Sequence, residues 1–317
     1  MLHGVNRCFA LSLLSIIGAC SPQVLVKPTY VNESSLIPRV VNGYDASLGD
    51  VPYQISFKKL MDMQTKSCWS FCGGVIIGPS KLVSAAHCFR TSQFSCCSDS
   101  VIQTQGHISQ FFAVAGTLLN KDVYKPKDNP SGAQWRRLKM VISPSTYKFP
   151  KDDIAIVPFH FNALIKPIPY ATRYIDYKGE CLVSGYGRIH SIKPISSEKL
   201  LLARLELLPT YWCTNLHGRN MRRFICTNTK VSDVAQGDSG GPLVCRSTGE
   251  KHEDSTFGIL VGIVSGTRLL GYKGKSSFFT RVSYFSKYVT RENRAEGSTF
   301  VYVYHYVIVL NTFYTVF

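Results

Sequence analysis

No internal repeat and no low-complexity tract occurs in the 317 residues, which excludes a solenoid or a largely structureless chain. Charge is scarce, at 18% of residues against 45% hydrophobic, so there is enough apolar content for one sizeable domain or two small ones sharing a core. Acidic residues are scarcer still: 20 Asp and Glu stand against 36 Lys and Arg, a formal net charge of +16. That balance raises nucleic acid or an acidic surface as a partner. The basic residues are dispersed, however, and the densest patch, Arg219, Arg222 and Arg223, reads as a solvated loop face, so no nucleic-acid partner is expected. The eleven cysteines lack the close pairing of metal ligands; they imply no metal and instead suggest disulfides formed in an oxidising compartment.

The N-terminal apolar run is also too short for a bilayer core, which needs about 20 residues. Arg7 precedes Cys8 to Ile17, and the small residues Gly18, Ala19, Cys20 and Ser21 follow, the layout of a secretory signal peptide over residues 1–20. A secreted, extracellular protein is the expectation. Residues 21–39 are polar and Pro-bearing, carry the sequon Asn32-Glu33-Ser34, and read as a propeptide. At the other end, residues 297–317 form a hydrophobic tail. As a helix, 18 residues would span about 27 Å. His305, Asn311, four tyrosines, the alternation Val301-Tyr302-Val303-Tyr304 and the missing basic flank favour a peripheral extension over membrane contact.

Between these ends, short runs rich in Val, Ile, Phe and Tyr recur, among them Tyr53 to Phe57, Gly74 to Ile77 and Ile154 to Phe159. Gly, Pro, Asn and Ser clusters punctuate them, which predicts an all-β barrel or sandwich. Phe285, Tyr288 and Val289 fall at helical spacing within 283–294 and predict a short closing helix.

Three short stretches carry chemistry. Gly237-Asp238-Ser239-Gly240-Gly241-Pro242 places a serine in a glycine-rich turn whose amides can approach a substrate closely. On its own such a serine is usually just part of a turn. A serine hydroxyl needs a base to take its proton and an acid to orient that base. His87, in Ser84-Ala85-Ala86-His87-Cys88, and Asp153, ahead of Ile154-Ala155-Ile156, supply those residue types.

Together, AAHC, DIAIV and GDSGGP resemble the trypsin/chymotrypsin family, in the family's His, Asp, Ser order, over residues 40 to about 295. The resemblance implies two packed six-stranded Greek-key β-barrels, with a boundary near 165–180 and a short C-terminal helix, in a protease domain over 40–296. It implies a serine endopeptidase that needs no cofactor. His87, Asp153 rather than its neighbour Asp152, and Ser239 would be catalytic, and the amides of Gly237 and Ser239 would form the oxyanion hole. Pro38-Arg39-Val40-Val41-Asn42-Gly43 looks like the family's activation site, with the freed ammonium of Val40 pairing with Asp238. Partners would be peptide and protein substrates, an activating trypsin-like protease and protein inhibitors.

The resemblance also pairs Cys72 with Cys88, Cys181 with Cys245 and Cys213 with Cys226. Cys68, Cys96 and Cys97 have no counterpart; Cys68 with Cys96 or Cys97 is a candidate extra bridge, with one thiol left free. Asp233 stands where the trypsin-like branch keeps its pocket carboxylate, which predicts cleavage after Arg or Lys, with Ser265, Gly266 and Ser277 also facing the substrate. Three departures point to a narrower or altered pocket: Ala235 in place of a cysteine, no tryptophan after Ser265, and Ser276-Ser277-Phe278-Phe279 in place of Pro-Gly, an apolar residue and Tyr. A noncatalytic homologue acting as a binding or regulatory protein is the rival from another class. A basic lectin-like or nucleic-acid-binding β domain would explain the charge but none of the motifs.

Overall fold

A computed structural model describes residues 43–90, 101–103, 110–127, 132–162, 165–178, 180–189, 195–229, 232–270 and 275–291. The expected signal peptide, propeptide, activation bond after Arg39, Cys96, Cys97 and the C-terminal tail lie outside them.

The chain is built of strands. The first group comprises β1 (Tyr44–Asp45), β2 (Gln54–Asp62), β3 (Ser67–Gly78), β4 (Lys81–Ser84), β5 (Val101–Gln103), β6 (Phe111–Ala115), β7 (Lys121–Val123), β8 (Gln134–Arg137), β9 (Met140–Ile142) and β10 (Ala155–Pro158). The second comprises β11 (Glu180–Gly185), β12 (Leu201–Leu208), α1 (Thr210–His217), β13 (Phe224–Asn228), β14 (Pro242–Cys245), β15 (Ile259–Leu269), β16 (Lys275–Arg281) and α2 (Ser286–Arg291). In the second sheet β12-β11-β14-β15-β16-β13 run side by side, and β13 pairs back onto β12, closing a six-stranded barrel to which β1 adds an edge. In the first, β5-β9-β10-β4-β3-β2-β6-β8 curl without closing among the described residues, and β7 pairs with β3. The expected double-barrel architecture is therefore present, with the N-terminal half as a curled half-barrel. The predicted closing helix is α2, reached through a 3-10 turn at Val282–Phe285 that buries Phe285.

Alternation and continuous apolar runs explain the cores. Ile55, Phe57, Val75, Leu82, Val83, Ile154 and Ile156 are buried in one cluster, and Val183, Leu205, Leu243, Ile259 and Val261 in another. All three bridges that the family pattern pairs are formed: Cys72–Cys88, Cys181–Cys245 and Cys213–Cys226. Cys68 is a buried free thiol, not half of a bridge. It sits in an apolar cluster with Phe112, Val114 and Trp135, and burial pushes its thiol up to about 11, so it stays protonated and unreactive.

The two halves meet backbone to backbone at the serine turn. The Gly73 amide of β3 donates to the Ser239 carbonyl at 2.7 Å. Gly240 adopts φ +80°, and a Cβ there would lie 2.2 Å from Ser84 Oγ and 2.4 Å from the Gly73 carbonyl. Only glycine satisfies both constraints. Gly240→Ala is therefore expected to destabilise the protein by about 3 kcal/mol or more, from left-handed strain plus a backbone clash. Gly49→Ala shares the strain at φ +93° but meets nothing within 4 Å, so it should cost only about 1 kcal/mol. Urea denaturation of both variants measures the difference; equal losses would remove the clash from the explanation.

Candidate active site

Antiparallel register brings the first two candidate residues together. In the β4–β10 pair Ser84 lies opposite Ala155. His87 sits three residues beyond Ser84, in a 3-10 turn, and Asp153 two residues before Ala155, so both leave the same end of the same strand pair. Ala85 and Ala86 are fully buried, and their small side chains let that turn pack down on the sheet.

Asp153 is completely buried, and three donors from two other segments converge on its carboxylate. The His87 amide reaches Oδ1 at 2.9 Å, His87 Nδ1 lies 2.8 Å from Oδ2, and Ser265 Oγ donates to Oδ2 at 2.5 Å. Thr280 Oγ1 donates to its carbonyl at 2.7 Å. An ionised carboxylate only accepts, so the imidazole proton belongs on Nδ1 and the lone pair on Nε2 faces outward. Asp152 turns away: it adopts φ +56°, accepts from Thr146 Oγ1 at 2.7 Å and forms an ion pair with Arg223. Phe149 packs edge-on to the His87 ring, with centroids 5.3 Å apart, and walls one side of the imidazole.

Ser239 reaches the same corner from the second sheet. Its carbonyl is hooked to Gly73, the neighbour of Cys72, and the Cys72–Cys88 bridge ends beside His87. The Cys88 sulfur lies 3.7 Å from that carbonyl oxygen. The next residue is fixed to β15, where the Gly240 amide donates to the Val264 carbonyl at 2.8 Å, immediately before Ser265. Within the turn the Asp238 amide is spent on the Ala235 carbonyl at 3.1 Å. The amides of Gly237 and Ser239 donate to no acceptor among the described residues.

The Asp238 side chain points the other way, into the protein. It accepts from the Gly187 amide at 2.7 Å and the Ala235 amide at 2.8 Å, and forms no ion pair among the described residues. A Cβ on Gly185 or Gly187 would fall 2.0 or 2.4 Å from its carboxylate oxygens, which accounts for the spacing of Gly185-Tyr186-Gly187.

Of the residues expected to face the substrate, Ser265 spends its hydroxyl on Asp153 instead. The missing tryptophan has a physical reason: a Cβ on Gly266 would already lie 3.0 Å from Cζ of the buried Phe278 ring, which packs edge-on to Phe224 and His217. Asp233 is buried, accepts from Ser277 Oγ and is ion-paired with Lys275. Lys275 and Lys58 were not legible as site residues. Lys58 is fully buried and donates to the Leu119 and Asn120 carbonyls, each at 2.6 Å, and to Ser70 Oγ at 3.0 Å. Asn120 in turn donates to the Tyr186 carbonyl at 3.2 Å, next to the glycine that holds Asp238. The two Cys-His-Cys groupings, Cys72 with His87 and Cys88 and Cys213 with His217 and Cys226, consist of a disulfide with a histidine beside it, so their sulfurs are not free to bind a metal.

These features define a mostly-β protein in which a buried aspartate orients a histidine, and the cysteine after that histidine reaches the backbone of a serine held in a glycine turn. The Trypsin family model matches residues 40–289, and the chain belongs to that family. It is 31% identical over 256 residues to Transmembrane protease serine 9 of Rattus norvegicus, covering 77% of this chain and 21% of that protein. It is 29% identical to Ovochymase of Halocynthia roretzi, over 82% of this chain and 15% of that protein. Against Prostatic glandular kallikrein-6 of Rattus norvegicus it is 25% identical, over 80% of this chain and 91% of that protein. The chain thus spans well under a third of the first two relatives. Among the described residues, no helix is long and apolar enough to cross a membrane.

Burial raises the Asp238 carboxyl from the ordinary carboxylate range to about 6. The folded state therefore keeps a proton that the unfolded chain releases between about pH 4 and pH 6. The stability this contributes is fully present below about pH 4 and lost as pH rises through about 6. Asp238→Asn, which cannot titrate, should match the wild type near pH 3.5 and exceed it by about 3 kcal/mol at pH 7. Urea denaturation of the full chain at both pH values tests this; a difference that does not change with pH would refute it.

Proposed function

We propose that this chain is the precursor of a secreted serine endopeptidase. Ser239 attacks the peptide carbonyl, His87 takes its proton through Nε2 and later returns one to the leaving amine, and Asp153 keeps the imidazole in that tautomer. The developing oxyanion is met by the amides of Gly237 and Ser239, a contribution of about 3 kcal/mol per donor. The supporting observation is the buried Asp153 carboxylate, 2.8 Å from His87 Nδ1 and 2.5 Å from Ser265 Oγ, at the corner to which the Ser239 carbonyl is hooked. No organic cofactor enters this chemistry.

Cleavage after Arg39 by a trypsin-like protease would free the Val40 ammonium to pair with Asp238. The buried Asp238 carboxylate, which forms no ion pair among the described residues, supports that reading, since an uncompensated buried charge typically costs several kcal/mol. A signal peptide over residues 1–20 would direct the precursor out of the cell, and protein inhibitors of the family would be natural regulators. For selection of the residue before the cut there are two readings. Cleavage after Arg or Lys rests on the position of Asp233; the ion pair with Lys275 favours a non-tryptic preference.

N-terminal sequencing of the active form should begin at Val40. A fluorophosphonate probe should label the wild type and not Ser239→Ala, and Asp153→Asn should lower kcat by about 10⁴-fold with the fold intact. Equal labelling of Ser239→Ala, or full activity with Arg39 still attached, would refute the corresponding part of the proposal.

A further inference from the structure

The charge of Asp233 is already matched within the chain. Its side chain is 4% exposed; Oδ1 accepts from the Ser277 hydroxyl and from the Val234 amide at 2.8 Å, and Oδ2 pairs with the Lys275 ammonium. Lys275 and Ser277 are two apart on β16, so their side chains share one face of the strand, and both are directed at the same carboxylate. Every oxygen of a would-be cation site therefore has a partner before any substrate arrives. An incoming guanidinium or ammonium would have to displace Lys275 and then share the pocket with it, a like-charge contact in a largely buried place.

Shape points the same way. Ser277 sets a hydroxyl side chain directly against Asp233, and a side chain there leaves less room beside the carboxylate than a bare glycine would.

We propose that Lys275 is a specificity-determining residue: by neutralising Asp233 from within, it makes the protease select short uncharged side chains before the scissile bond and discriminate against Arg and Lys. This rests on the endopeptidase reading above and deepens it by naming the substrate class. Lys275 touches no reacting atom; it sets the charge that the substrate meets.

The test uses protein beginning at Val40, as wild type, Lys275→Met and Lys275→Arg, with active sites titrated by a fluorophosphonate probe. Peptides differing only in having alanine, valine, glutamate or arginine before the cut give kcat/KM for each. The wild type is expected to prefer alanine or valine to arginine by at least about tenfold. Lys275→Met should shift the arginine-to-alanine ratio by about 100-fold toward arginine, the worth of a restored charge-assisted contact, and Lys275→Arg should keep the wild-type order. Benzamidine binding by calorimetry needs no turnover and should tighten by about 100-fold in Lys275→Met. Arginine preferred by the wild type, or an unchanged ratio and unchanged benzamidine affinity in a folded Lys275→Met, would overturn the proposal. So would a preference for glutamate, which would mean that the Lys275 charge is free. If Lys275→Met fails to fold, Lys275→Gln takes its place under the same criteria. If the probe labels none of the three proteins, the endopeptidase reading has failed, and the benzamidine measurement still decides whether Lys275 occupies the cation site.

Discussion

The site depends on a carboxylate removed from water and satisfied from several directions. Asp153 is wholly buried, and such a charge persists only when its oxygens are fully hydrogen-bonded. Its donors come from the turn after β4 and from β15, and its carbonyl is held from β16, so satisfying one side chain draws strands of both sheets to a single point. The same bonds set the orientation and tautomer of His87. Stability and the proposed chemistry thus share one constraint, and loosening β15 would be felt at the imidazole through Ser265.

The wall beside Asp233 shows a different solution to a common problem. With Ala235 in place of a cysteine, no disulfide is available from that position to brace the loop. Polar clasps hold it instead: Ala235 donates to Asp238, and Asp233 is gripped by Ser277 and Lys275 on β16. Lys275 is therefore both a brace and a charge, and the loop is steadied at the expense of a free carboxylate in the pocket. Gly266 and Phe278 exchange roles in the same way. An aromatic ring arrives from β16 and fills the space that a side chain after Ser265 would need, so the small residue on one strand is the consequence of the large one on its neighbour.

Much of this was legible in the sequence, because local patterns carry it. Alternation and turn residues marked the strands, the spacing of Phe285, Tyr288 and Val289 marked the closing helix, and three short motifs with their cysteines located the candidate site and its bridges. The choice of Asp153 over Asp152 also agrees with the geometry, since only Asp153 reaches His87. What could not be read depended on partners distant in the chain. Lys58 and Lys59 look equivalent in sequence, yet strand alternation puts Lys58 on the face of β2 shared with the buried Gln54 and Ser56, where carbonyls 61 and 62 residues away receive it. Ser265 was read as facing substrate because nothing local indicates a carboxylate 112 residues earlier. Lys275 looked like one of 36 dispersed cations, and only the pairing of β16 with β15 and β13 brings it to Asp233.

Asp233 and Asp238 lie five residues apart, both buried, and among the described residues one ammonium pairs with either of them. Lys275 binds Asp233, while Asp238 makes do with two amides and is driven toward protonation by burial and by its acidic neighbour. Among the described residues, two carboxylates and one cation leave the loop short of one positive charge. On the proposed activation, the Val40 ammonium supplies it, and because Lys275 is already committed, the new charge has a single unpaired destination. An internal counterion at the pocket base would then serve selection and maturation together: it removes the competing acid, so the freed N-terminus is directed to the carboxylate beside Ser239 and the turn that carries Ser239 is ordered by the same event.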